Sequence, residues 1–285
     1  AGDKMKKLFE AVGFITLICL SFVYTEKTVN VVKEYDDIMI TIKEKNEEYK
    51  IKPKNAKIDK NTIIPGLKGK KINENKSYSK MKRYGSYNGN LLVYDEVKPT
   101  ISVKNNFDKY IIKGNEEKNM ISLIFIIGEN DKIDKILKIL KSKDIKANFF
   151  IDVLWLEKNE EKLIKIIKNG HNVGSIGLNG DYSDSNYPWI DNKIKTTTKK
   201  DFSYCYNEVE DINALKICSN YNNYTIRPNI IVSKNPFAEV KEKISPGSII
   251  SFGVNDAVEN EMSLIIEYIK SKGYTISTLE EHLEE

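Results

Sequence analysis

The chain has 285 residues, 40% hydrophobic and 30% charged, which is enough apolar material for a real core and excludes a disordered chain. Its 45 basic side chains are nearly balanced by 41 acidic ones and are spread along the whole length. That excludes the clustered basic footprint of a nucleic-acid-binding protein, so no nucleic-acid partner is expected.

In chain order, the first feature is Lys6 and Lys7 ahead of a mostly apolar run from Ala11 to Tyr24. The run is shorter than the ~20 residues that cross a bilayer and reads as an export signal or a short anchor, with membrane contact through residues 8–24. No small-x-small cleavage site follows, because Thr25-Glu26-Lys27 come next. An uncleaved, single-pass or exported protein of the cell membrane with its bulk extracytoplasmic is the expectation, the lysines staying inside. A buried N-terminal helix is the competing reading.

Residues 1–27 are thus read as the signal or anchor segment and 28–118 as a small module or stalk. Val32, Tyr35, Met39, Ile42 and Tyr49 recur at helical spacing. Asn61–Ile64 reads as a short strand before a Pro65-Gly66 turn, and Ser77–Arg83 as a short helix. Residues 119–285 then alternate strand-like apolar runs with amphipathic helices, the pattern of a βα-repeat α/β domain. Ile121–Ile127 is a continuous apolar strand, as expected when both faces are buried. Asp131–Lys143 reads as a helix, Ala147–Val153 as a strand, Glu160–Asn169 as a helix and His171–Ile176 as the third strand. Further on, Thr225–Val232 and Ser248–Phe252 read as strands, Glu261–Lys272 as a helix burying Leu264, Ile265, Tyr268 and Ile269, and Tyr274–Ile276 as a closing strand. Cys205 and Cys218 lie outside the apolar run. In an oxidising compartment they could close a disulfide worth about 3 kcal/mol; two buried free thiols are the alternative.

The order of these elements, with Lys146-Ala147-Asn148-Phe149-Phe150-Ile151, Asn169-Gly170-His171-Asn172-Val173-Gly174, Ile226-Arg227-Pro228, Gly247-Ser248-Ile249-Ile250 and Ser271–Glu280, resembles the NodB-homology polysaccharide deacetylases over roughly residues 120–283. The resemblance implies a distorted or incomplete (β/α) barrel with its site at the carboxyl ends of the strands, where a metal-bound water removes acetyl groups from N-acetylated sugars.

Carried over position by position, the family's chemistry is missing. Its Thr-Phe-Asp-Asp-Gly motif falls on Ile124–Gly128, so Ile126 and Ile127 stand at the base and metal-binding aspartates. The two metal-binding histidines fall on Ile176 and Gly180, the oxyanion tyrosine on Ile230 and the general-acid histidine on Gly253. The arginine is kept as Arg227. The chain holds two histidines in all, His171 and His282, too few to converge on a site with open coordination positions. No cofactor is therefore expected; the alternative is zinc or another divalent metal held by substitutes such as Glu129, Asp131 or Asp152, with Asp181, Asp184 and Asp256 near other strand ends. The bland reading of Glu129–Asp131 is a turn that caps a helix.

Three functional expectations follow. The first is a catalytically inactive, membrane-anchored deacetylase-like protein that binds cell-wall glycan or an envelope protein, with Arg227, Tyr182, Tyr187 and Trp189 as candidate contacts, since sugar faces stack on exposed rings. The second is an active peptidoglycan N-deacetylase with a rearranged site, and the third a purely structural envelope protein.

Overall fold

The structure is a computed structural model describing residues 12–25, 33–34 and 36–285. Residues 12–25 are helical (α1) with exposed apolar side chains, among them Phe14, Leu17 and Phe22. No helix of the described residues is long and apolar enough to cross a membrane. Lys6, Lys7 and Ala11, on which part of the anchor reading rests, lie outside the described residues, as do Val32 and Tyr35.

The chain divides into two compact units, residues 1–52 with 69–97, and residues 53–68 with 98–285. This differs from the expected boundary near residue 118. Residues 53–68 and 98–118 hold strands of two or three residues, too short to show a period; β1 (Lys57–Asp59) pairs with its neighbour β2 (Thr62–Ile64), and the place of β2 and β5 (Tyr110–Ile111) is set by pairing with strands distant in sequence.

In the first unit, α2 (Asp37–Tyr49) is capped by Asp36, whose carboxylate accepts from Ile38 N at 3.0 Å. Strand β3 (Gly69–Ile72) pairs antiparallel with β4 (Tyr94–Val97), and α3 (Glu74–Lys82) lies between them in sequence. Ile38 and Ile42 from α2 meet Ile72 and Met81 in one small core. The expected helical face survives in Met39 and Ile42, while Tyr49 is exposed.

The second unit is built on one curled, half-barrel sheet. In chain order its strands are β1 (Lys57–Asp59), β2 (Thr62–Ile64), β5 (Tyr110–Ile111), β6 (Met120–Ile127), β7 (Asn148–Ile151), β8 (Asn172–Ser175), β9 (Tyr204–Tyr206), β10 (Tyr224–Ile226), β11 (Ile230–Val232), β12 (Ile249–Gly253) and β13 (Thr275–Ile276). They run in the order β1-β2-β5-β10-β9-β8-β7-β6-β12-β11, with β13 beside β6. All pairs are parallel except β1 with β2. Helices α4 (Asp134–Ser142), α5 (Val153–Lys158), α6 (Glu160–Lys168), α7 (Tyr187–Thr198), α8 (Ile212–Asn220), α9 (Pro236–Lys243) and α10 (Asp256–Ser271) alternate with the strands, and α11 (Leu279–His282) ends the chain.

Strand β6 shows why its sequence is apolar without alternation. Leu123, Phe125 and Ile127 belong to the large core between sheet and helices, and Ile124 belongs to the core inside the curl. Phe125 stacks between Phe149 and Phe252, at centroid distances of 5.4 and 5.8 Å. The inner core is closed at the N-terminal ends of the strands by Leu279 and Leu283.

Three expectations are corrected. Thr225–Val232 is two strands, because Pro228 offers no N–H and disfavours helix or ladder at its neighbours; β10 pairs with β5 and β9, β11 with β12. The last long helix starts earlier, at Asp256 behind the Asn255 cap, and buries Val258, Met262, Ile265, Ile266 and Ile269, leaving Leu264 exposed. The segment after the third strand, which reads in the sequence as a loop carrying Tyr182, Tyr187 and Trp189, forms α7 from Tyr187 onward, with Pro188 in its first turn, where a missing N–H costs nothing.

Candidate functional site

The carboxyl ends of the strands are where the expected chemistry would stand. Register places Gly253, Ile126, Phe150 and Gly174 side by side across β12, β6, β7 and β8. Ile126 is partly buried against the inner core, with Phe150 beside it. A Cβ on Gly174 would lie 2.5 Å from Phe150 Cε1 and 2.7 Å from Tyr204 O, so the phenyl ring occupies the room that a side chain there would need. Ile127 points the other way, into the sheet–helix core, and is fully buried. Ile176 is buried inside the curl.

Gly180 sits in a tight turn in which Leu178 and Asp181 exchange backbone hydrogen bonds at 2.8 and 3.0 Å. Asn179 and Gly180 both have positive φ, +52° and +86°, a conformation that favours glycine. Gly253 is open, with nothing within 4 Å of an added Cβ. Ile230 is buried in the outer core.

The carboxylates proposed as substitutes are already employed. Asp152 caps α5, accepting from Leu154 N at 2.7 Å, and its second oxygen accepts from Asn179 N at 2.5 Å. Asp131 accepts from Gly128 N at 2.8 Å, while its carbonyl accepts from the Trp155 indole at 2.9 Å. Glu129 pairs with Lys158. Among the described residues no group of three or more His, Cys, Asp or Glu side chains is placed to hold a metal ion. The side chains at these strand ends therefore do not fit the divalent ion that the resemblance to deacetylases implies.

Both histidines lie at the opposite end of the sheet. His171 Nδ1 accepts from Ala147 N at 3.2 Å, and burial, aided by Lys146, lowers its pKa to about 4. His282 is fully buried, bonded through Nδ1 to Ser122 Oγ at 2.9 Å, and burial, aided by Lys118, lowers its pKa to about 3.

The aromatic candidates separate. Tyr182 and Tyr187 are interior residues and correct the expectation of exposed rings. The Tyr182 hydroxyl donates to Ser175 O at 2.7 Å and accepts from Tyr206 N at 2.8 Å, stitching β8 to β9. The Tyr187 hydroxyl lies 3.0 Å from Cys205 Sγ and accepts from Asn223 Nδ2 at 2.6 Å. Trp189, 42% exposed on α7, is the one ring of the three that faces solvent. Cys205 and Cys218 form a disulfide joining β9 to α8 across 13 residues.

Arg227 ends β10. Its Nη1 donates to Glu210 Oε1 at 2.8 Å and its guanidinium lies 5.4 Å from the Tyr110 ring centre. That ion pair is partly exposed, so it is weak and open to competition from an anionic or hydroxyl-rich ligand. Sequence reasoning missed a buried polar group of the inner core here, Tyr206, whose hydroxyl donates to Glu208 Oε1 at 3.2 Å and lies 2.8 Å from Ser251 Oγ. Burial raises the Tyr206 phenol pKa, which keeps it protonated. The alternation Phe202-Ser203-Tyr204-Cys205-Tyr206, apolar and aromatic on every second residue, was the available signal.

Comparison with known proteins agrees with this architecture. A family model described as polysaccharide deacetylase matches residues 113–221. The uncharacterized protein YlxY of Bacillus subtilis is 30% identical over 283 residues, covering 90% of this chain and 87% of that one. Among solved structures, wild-type BA3943, a CE4 family pseudoenzyme from Bacillus anthracis, matches with a TM-score of 0.66 at 23% identity, over 87% of this chain and 95% of that one. The Bc1960 peptidoglycan N-acetylglucosamine deacetylase matches with a TM-score of 0.54 at 20% identity, over 61% of this chain and 92% of that one. These structures share the curled βα sheet with this protein, and the extent of the matches places it: the chain belongs to the polysaccharide deacetylase family.

Proposed function

We propose that this protein is a catalytically inactive, polysaccharide-deacetylase-like protein of the cell envelope that binds cell-wall glycan at the carboxyl ends of its strands. One observation carries the reading. The positions that correspond to the family's base and metal ligands hold Ile126, Ile127, Ile176 and Gly180, and the three isoleucines are packed into the cores. Apolar side chains there can neither take a proton nor bind a cation, and fold survives loss of chemistry. Arg227 and the exposed ring of Trp189 are the contacts best suited to a sugar, by competition with Glu210 and by stacking. The exposed apolar helix α1 supports an exported protein held at the membrane, with the glycan-binding unit outside. The cell wall as ligand source follows from the family and from a structural neighbour that acts on peptidoglycan.

The test uses the purified protein with zinc, cobalt or manganese, assayed for bound metal and for acetate release from N-acetylated glycan oligomers. Neither metal nor acetate is expected, with glycan retention in a pull-down that Arg227→Ala weakens. Stoichiometric metal with turnover would overturn the proposal, and a protein that retains no glycan would leave the structural role.

A further inference from the structure

Strands β8 and β9 are joined by a single registered pair, Ser175 with Cys205, so their N-terminal ends diverge. A crevice of about 240 Å³ opens there, lined by His171, Asn172, Ile167, Ile194, Lys200 and Ser203 among others. Asn172 and Ser203 are 9% and 2% exposed. Asn172 Nδ2 and Ser203 Oγ have no hydrogen-bond partner among the described residues, an arrangement that is unfavourable until something accepts from them.

The remaining polar groups point to the same kind of ligand. Because His171 Nδ1 accepts from Ala147 N, the ring carries its proton on Nε2 and adds a third donor. Lys200 adds a fourth, paired with Glu280, the carboxylate that also lines the crevice. Lys146 lies along Gly170 at the edge, its Cε 3.3 Å from an added Cβ there. Two lysines against one glutamate leave the surroundings net positive, since burial keeps His171 neutral. Glu280, the carboxylate of the lining, is paired with Lys200, and Ile167 and Ile194 supply apolar wall.

We propose that this crevice binds a small carboxylate with a short aliphatic tail, the carboxylate accepting from Asn172 and Ser203 near Lys200 and the tail lying against Ile167 and Ile194. The site lies at the amino ends of the strands, opposite the face considered for glycan, and stands or falls independently of that reading.

The experiment titrates the full chain, labelled with ¹⁵N-asparagine, with 4-methylpentanoate and separately with its uncharged amide, 4-methylpentanamide. The Asn172 side-chain resonance, assigned by its loss in Asn172→Asp, is followed. A saturable shift with the acid is expected, at least about tenfold weaker with the amide, and weakened about tenfold by Ser203→Ala, which removes one charge-assisted hydrogen bond. Ser203→Ala deletes a hydroxyl without a partner and should leave the other resonances in place; if it does not, Lys200→Met serves as the second variant with the same expectation. Equal response to acid and amide would overturn the carboxylate assignment. The absence of any saturable shift, with magnetisation exchange only to water at Asn172, would show a hydrated crevice and overturn the site.

Discussion

The two ends of the half-barrel sheet are chemically opposite. At the carboxyl ends, where barrel enzymes of this kind keep their reactive groups, Ile126, Phe150 and Ile176 make the inner surface mainly apolar around the Tyr206 and Ser251 hydroxyls. At the amino ends stand buried Ser122, Asn148, His171, Asn172, Ser277 and His282. The polar groups there are mostly structural. Asn148 donates to Leu123 O at 2.9 Å and accepts from Leu279 N at 2.7 Å, and Ser122 donates to Ser277 O at 3.0 Å while meeting His282. The polar network at the amino ends fastens α11 to the sheet, whereas at the carboxyl ends the few polar groups, Tyr206 with Ser251 among them, are set in apolar surroundings.

Acid should separate the two ends most strongly. Both histidines are neutral in the fold, with pKa values lowered to about 4 for His171 and about 3 for His282. The unfolded chain protonates them near 6.5, so below that pH it binds more protons than the folded one. Stability is full above pH ~6.5 and falls as pH drops towards 4 and then 3, by up to about 3 kcal/mol for His171 and about 5 kcal/mol for His282. Urea melts across this range should show the slope, and His282→Gln should flatten its lower part; an unchanged slope in that variant would remove His282 from the account.

The packed carboxyl end is tested by Gly174→Ala. The new methyl meets both Phe150 and the Tyr204 carbonyl, and a loss of about 3 kcal/mol is expected from overpacking. Phe150→Leu in the same chain should return part of that loss, a coupling read from a double-mutant cycle of denaturation midpoints. Strict additivity would mean that the ring does not fill that space.

Reduction of the Cys205–Cys218 bond should lower stability by about 3 kcal/mol through the entropy of a 13-residue loop, seen as a lower melting temperature in dithiothreitol that Cys218→Ser reproduces. The smallest effect is expected at Asp152. Asp152→Asn loses an acceptor for either Leu154 N or Asn179 N and should cost about 1–2 kcal/mol of stability with no change in metal content. A variant that altered bound metal would reopen the idea that Asp152 is a ligand.

Much of this molecule was legible in the linear chain. The continuous apolar run at Ile121–Ile127, the amphipathic helices and the punctuation by Gly170 and Gly273 fix local structure through periodicity and backbone freedom alone. The missing aspartates and histidines were equally visible, since side-chain chemistry is a property of each residue. What the sequence could not decide is what long-range packing decides. Strands of two or three residues, such as β2 and β5, carry no period and acquire a place only by pairing, β5 with β10 and β2 with β5. Tyr182 and Tyr187 looked like loop aromatics and proved to be core because α7 and β9 fold over them. Whether Asp131 and Asp152 were ligands or caps turned on which backbone N–H groups reached them, and the divergence of β8 from β9 that opens the crevice is set by the register of a curled sheet.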